Sequence, residues 1–139
     1  MRQERLWFAR KFHFDIPLDC GPNVVERLRG TPARVEEMLA GLPDPLVRAR
    51  SGDDWSILEN VGHLADLEEL WETRIGELLS GDVETLSPAD LENRKTHEAD
   101  HNQRPTADVT RELRSLRDRI LGQVDGLKTA DFGRTALHP

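Results

Sequence analysis

The sequence is short of several things at once. Of its 139 residues one is cysteine and none is tyrosine, and aromatic side chains make up 5%. A lone thiol, Cys20, cannot close an internal disulfide, so the disulfide-stapled secreted class is excluded and Cys20 reads as an ordinary unpaired thiol. Apolar runs are only a few residues long, far below the roughly 20 that a membrane span needs, and Met1 to Arg5 lacks the apolar stretch of a signal peptide. These absences point to a cytoplasmic protein with no membrane partner. An excess of positive charge is missing too. With 19 Lys+Arg against 26 Asp+Glu the formal charge is −7, which favours solubility and argues against a phosphate-tracking, nucleic-acid-binding face. No glycine-rich phosphate loop, Cys-x-x-Cys pair or nucleophile elbow is present. No strand alternation and no internal repeat appears.

What is there is helical spacing. The length suits one domain over residues 1–139. Residues 1–21 form an irregular lead-in with apolar Leu6, Trp7, Phe8, Phe12, Phe14, Ile16 and Leu18 among charges, broken by Pro17 and Gly21-Pro22. Over 22–42, Val24, Val25, Leu28, Val35, Met38, Leu39 and Leu42 recur at three or four residues, which predicts a helix. Gly30-Thr31-Pro32 interrupts it, giving either two short helices or one kinked one. Leu42 to Asp54 reads as a loop. From 55 to 80 runs the strongest periodic segment, with Ile57, Val61, Leu64, Trp71, Ile75, Leu78 and Leu79 on one broad face, Asp53 or Asp54 as cap and Ser80-Gly81 as stop. Residues 81–104 are a long polar loop with room for one helical turn near 88–93. From 105 to 127 the apolar stripe Val109, Leu113, Leu116, Ile120, Val124 and Leu127 predicts a third helix. The fold class is therefore all-α, an up-down bundle. The broad apolar sector of the 55–80 helix suggests contacts with more than one neighbour, and so a fourth helix that these residues lack. Trp55, Trp71 and the phenylalanines read as core.

Five histidines, His13, His63, His97, His101 and His138, are the natural candidates for chemistry. On a helical wheel started at Ile57, His63 falls at about 240°, on the margin of the apolar sector. A half-buried imidazole there serves as a metal ligand or general base, or else as a boundary histidine bonded to a neighbouring helix. Glu59, one turn earlier, is a candidate partner. His97-Glu-Ala-Asp-His101 matches the H-E-x-x-H zinc pattern, but it sits in NRKTHEADHNQRP, with scarcely an apolar residue to support a helix, and reads as accidental. In an up-down bundle the loop starts about 25 Å along the axis from His63. His97 and His101 should then stay at that far end unless the long loop folds back, while the 105–127 helix brings His138 back toward His63. Glu68 falls inside the apolar stripe. It needs an arginine or a metal beside it, unless the stripe is more open there than the wheel suggests.

The segment Asp53 to Glu68 carries Trp55-Ser56-x-x-Glu59-x-x-x-His63-Leu64, and in this it resembles the DinB/YfiT-like family of small bacterial four-helix metalloproteins. Arg74 after Trp71, the loop Lys95 to Asn102 and the closing Ala136 to Pro139 are similar as well, so that the likeness spans roughly 24–139. The resemblance implies an up-down four-helix bundle and a divalent metal, zinc or nickel, held by three histidines. His63 matches the ligand from the second helix. The other two belong to an H-x-x-x-H on a fourth helix, which would follow Pro139. The implied activity is a metal-dependent transferase or isomerase using a low-molecular-weight thiol such as bacillithiol or mycothiol, or a hydrolase, acting on a small molecule. The metal would lower the pKa of a bound thiol or water. An alternative of a different class is a non-catalytic helical interaction module, a homodimer in which His63 is structural and an open apolar groove is covered by a second copy.

Overall fold

The computed structural model describes Lys11 and residues 16–139. Leu6, Trp7, Phe8, Phe12, Phe14 and His13 lie outside the described residues. After a 3-10 turn at Leu18–Cys20, α1 spans Gly21–Ala40. It continues through Pro32. A proline has no N–H, so the carbonyl four residues before it loses its helical donor. That carbonyl is Leu28, and Arg117 supplies the missing donor through Nη1 at 3.0 Å. Thr31 Oγ1 and Arg34 Nη2 donate to the adjacent Arg27 carbonyl at 2.8 and 2.7 Å.

The segment expected as a loop after α1 contains a short helix, α2 (Asp44–Arg48), which buries Val47. α3 spans Ile57–Ser80. Its cap is Ser56, not Asp53 or Asp54: Ser56 Oγ accepts from Glu59 N at 3.1 Å, and Ser56 N donates to Glu59 Oε2 at 2.8 Å. This reciprocal pair satisfies two of the N–H groups a helix start leaves open. Gly81, at φ 71°, closes the other end in the left-handed region that glycine tolerates. Then come α4 (Arg94–Glu98), a 3-10 turn at His101–Gln103 and α5 (Thr106–Asp125). The helical turn of the polar loop thus lies beyond 88–93.

The core is built from Leu58, Val61 and Ala65 of α3, Val109 and Leu113 of α5, Leu39 of α1 and Val47 of α2, all buried. Each leucine of that set contributes about 1.5–3 kcal/mol by leaving water. The direction of the helices follows from their ion pairs. Arg117 meets Glu68 and Arg119 meets Glu72, so the numbers rise together and α5 runs parallel to α3. Arg114 with Glu36 and Arg29 with Asp125 run in opposite order, so α1 is antiparallel to α5. The all-α, bundle-type class stands, and two positional expectations are corrected with it. Residues 81–105 travel back along α3 before α5 begins, which brings His101 to the His63 end of the bundle. His138 follows the chain to the opposite end, where Leu137 exchanges backbone hydrogen bonds with Glu84 O and Leu86 N at 2.8 and 2.9 Å.

The apolar face of α3 is only partly covered. Leu58, Val61 and Ala65 are buried, whereas Ile57, Leu64 and Trp71, seven residues apart, keep 38%, 40% and 46% of their surface exposed. Trp71 and Phe132 are therefore not core residues. Glu68 has the partner the wheel demanded. Arg117 binds its two carboxylate oxygens from α5, in a pair nearly sealed from water. Removing one member of such a pair strands a buried charge, which costs about 3–5 kcal/mol, while replacing both with apolar groups is often neutral. Glu68→Leu should therefore lose about that much in urea unfolding, and Glu68→Leu with Arg117→Met should recover part of it, falling short by the roughly 1–3 kcal/mol that the Leu28 carbonyl costs once its Arg117 donor is gone. Equal losses in the single and double variants would contradict the pairing.

Candidate functional site

The return segment is laced to α3 along most of the helix. Ser87 donates from N to Glu77 at 2.9 Å, and its carbonyl accepts from Arg74 Nε at 2.9 Å. Lys95 Nζ reaches Glu69 at 2.6 Å, Thr96 Oγ1 donates to Asp66 Oδ2 at 2.8 Å, and Ser56 Oγ donates to Asn102 at 2.7 Å. Residue numbers rise on one side and fall on the other. The segment therefore lies antiparallel against one face of α3. Asn93 (φ 53°) and Asp100 (φ 45°) take the left-handed turns that bracket α4, residue types that bear this conformation better than most.

At the centre of this seam sits His63, half buried. Its Nδ1 is 2.9 Å from Thr96 Oγ1, and its ring stacks at a tilt on Trp55 with centroids 4.9 Å apart. Burial above all lowers its pKa from the ordinary 6.5; Asp66 pulls the other way, and His101 adds to the lowering. The neutral imidazole is thereby favoured, the form in which a ring nitrogen offers a lone pair. Nε2 has no hydrogen-bond partner among the described residues. A cleft of about 230 Å³ opens beside the ring, lined by His63, Asp66, Leu67, Leu70, Asn93 and Thr96 among others.

His101 is buried at 1% exposure with both ring nitrogens engaged. Nε2 lies 2.9 Å from Asp66 Oδ2, and Arg104 Nη1 donates to Nδ1 at 3.3 Å. The ring rests on Gly62, where any Cβ would overlap it, so the absence of a side chain at that position admits the histidine. Glycine here marks close approach. His97 is exposed and stands edge-on to Trp55 at 5.5 Å. The left-handed Asp100 separates it from His101, so the two histidines of the H-E-x-x-H string do not share a helical face. His138 is exposed and its Nδ1 lies 2.9 Å from the Pro139 carbonyl. Glu59 is not hydrogen-bonded to His63. It binds the Arg50 guanidinium and the Ser56 cap.

A metal centre needs several donors converging on one point. Among the described residues no group of three or more His, Cys, Asp or Glu side chains is placed to hold an ion. His63 fits as a single donor through Nε2, whereas His101 is fully engaged in hydrogen bonds.

A family model described as the DinB superfamily matches residues 27–139. The chain belongs to the DinB superfamily. A search of curated protein sequences gives no significant match. Among solved structures, this DinB chain is similar to YfiT from Bacillus subtilis, with a TM-score of 0.77 and 19% identity over 94% of this chain and 74% of that one. YfiT is described as a probable metal-dependent hydrolase with an unusual four-helix bundle topology. At that identity the likeness concerns the fold. The parallel course of α3 and α5 goes with the return segment, whose signal in the sequence was the 81–104 stretch, too long and too polar for a simple turn. His63 and Asp66, three residues apart on one helix, were legible as neighbours. Thr96 was not singled out, and His101 was noted only within the H-E-x-x-H string and the Lys95 to Asn102 loop, not as a partner of Asp66.

The cap of α3 gives this end of the molecule a pH dependence. The Arg50 guanidinium first of all, against the opposing effect of burial, and then the Ser56 N–H hold the Glu59 carboxyl down to about 2. A carboxyl lowered in the fold adds stability that is complete above its unfolded pKa near 4.5 and is lost as pH falls toward about 2. Glu59→Gln should therefore flatten the acid limb of stability between about pH 5 and pH 2, measured as urea midpoints across pH. Parallel curves for the two proteins would contradict this role.

Proposed function

We propose that this protein is a divalent-metal-dependent enzyme acting on a small molecule, with His63 Nε2 as one ligand of the metal. The observation that carries the reading is the state of His63: a ring tethered at Nδ1, pushed toward neutrality by burial, lining a cleft, with Nε2 unpartnered among the described residues. Membership of the DinB superfamily and the description of YfiT support a metal and favour hydrolysis. Zinc or nickel suits an imidazole donor. A bound ion of this kind lowers the pKa of water, or of a thiol, and so supplies a nucleophile at neutral pH. Hydrolysis uses water directly, and a thiol transferase would use a low-molecular-weight thiol in its place. The chain's own contribution is to hold the imidazole still, keep it uncharged and wall the cleft with Leu67 and Leu70. No helix of the described residues is long and apolar enough to cross a membrane, and the single cysteine is compatible with a cytoplasmic setting.

The test is metal content of the full-length protein, wild type against His63→Ala, with His97→Ala as control. The expected result is loss of bound zinc or nickel in His63→Ala alone. Equal metal content in wild type and His63→Ala would overturn the assignment.

A second reading rests on a different observation, the exposed stripe Ile57, Leu64 and Trp71 on α3. Such a stripe suits a homodimerisation or interaction module in which His63 is structural. Sedimentation across concentration distinguishes the two. A dimer dissociated by Leu64→Glu supports the module, and a monomer at all concentrations contradicts it.

A further inference from the structure

We propose that Thr96, backed by Asp66 and His101, is a positioning residue that holds His63 in the tautomer with its proton on Nδ1, so that Nε2 is the nitrogen presented for coordination. The inference rests on the metal reading above and adds to it the residues that choose the donor atom.

Proton counting along the contacts decides the tautomer. A threonine hydroxyl carries one proton, and a carboxylate can only accept. Thr96 Oγ1 lies 2.8 Å from Asp66 Oδ2, so its proton is spent there. The reverse arrangement would set the hydroxyl lone pairs against the carboxylate. Toward His63, 2.9 Å away, the same oxygen therefore has only a lone pair to offer, and Nδ1 must be the donor. Nε2 is left with its lone pair and no protein partner among the described residues.

The acceptor in this chain is itself held in place. His101 Nε2 donates to the same Asp66 Oδ2 at 2.9 Å, while Arg104 donates to the other His101 nitrogen and pairs with Glu112 at 2.6 Å. His101 cannot slide, because its ring is buried against the bare backbone of Gly62, next in sequence to His63. The relay thus passes from α3 to the return segment and back: His63 to Thr96, Thr96 to Asp66, and His101 onto Asp66. A metal-binding histidine commonly donates its other ring N–H to a fixed acceptor, and loss of that acceptor costs about 10–100-fold in metal affinity. Here the acceptor comes from a segment distant in sequence, which couples the donor atom to docking of that segment.

The experiment is a long-range ¹H–¹⁵N correlation of the histidine rings in metal-free, full-length protein, for wild type, Thr96→Val and Thr96→Ser, followed by zinc titration. Wild type and Thr96→Ser should show His63 protonated on Nδ1. Thr96→Val keeps the shape but removes the acceptor, and should shift His63 toward the Nε2-protonated form. An unchanged His101 pattern certifies that the variant is folded. Zinc affinity should fall about 10–100-fold in Thr96→Val and return in Thr96→Ser. A wild-type His63 protonated on Nε2, or a Thr96→Val that keeps the Nδ1 proton, would overturn the proposal. Zinc affinity indifferent to His63→Ala would sink the metal reading alone, and the tautomer spectra would still decide the relay.

Discussion

One carboxylate joins two parts of the chain that sequence keeps far apart. Asp66 stands on α3 and receives Thr96 and His101 from positions 30 and 35 residues downstream. A carboxylate accepting two hydrogen bonds in a partly dry seam is far harder to displace than one on the surface, because opening it strands the donors as well. With that contact made, the segment after α3 must run back along the helix instead of turning directly into the next one. α5 then starts at the same end as α3 and lies parallel to it. The parallel course of α5, and the placement of His97 and His101 at the His63 end, go with this docking.

The same constraint organises the polar interior. Arg117 serves two purposes at once: it neutralises Glu68 and donates to the Leu28 carbonyl that Pro32 leaves without a helical partner. A proline within α1 is thereby compatible with a continuous helix, because α5 passes at the right height to complete it. At the other end of the seam, Ser56 caps α3, and its hydroxyl also reaches Asn102 at the close of the return segment. Caps, ion pairs and the seam are thus parts of one arrangement in which α3 is the common wall.

The helices were legible from periodicity, since an amphipathic stripe is a local property of the residues that carry it. Val109, Leu113 and Ile120 announce α5 without reference to anything else. What was not legible depended on pairing. The 81–104 stretch has almost no apolar pattern, because it docks through side-chain hydrogen bonds and not through burial of a stripe. Its course along α3 therefore left no periodic trace, and His101 was placed at the wrong end of the bundle. Trp71 misled for the opposite reason: a wheel shows that a residue shares a face, but only the neighbour decides whether that face is covered. For the candidate site, His63 could be singled out from its position on the margin of the stripe. Glu59 could not be assigned correctly, because a residue one turn before His63 is equally well placed to cap the helix, and Arg50 and Ser56 claim it.

The physical picture is a bundle whose long connection folds back onto α3 and tethers one imidazole through a hydrogen-bonded chain of Thr96, Asp66 and His101. Its central claim is that the return segment lies on α3 at His63 in solution. The most direct measurement is a nuclear Overhauser spectrum recorded for contacts between the Gly62 α-protons and the His101 ring, and between the Thr96 methyl and the His63 ring. Strong cross-peaks for both pairs are predicted, since no side chain separates Gly62 from His101 and one hydrogen bond joins Thr96 to His63. Absence of both in a folded protein would contradict the docking, and with it the order of the bundle and the tethering of His63.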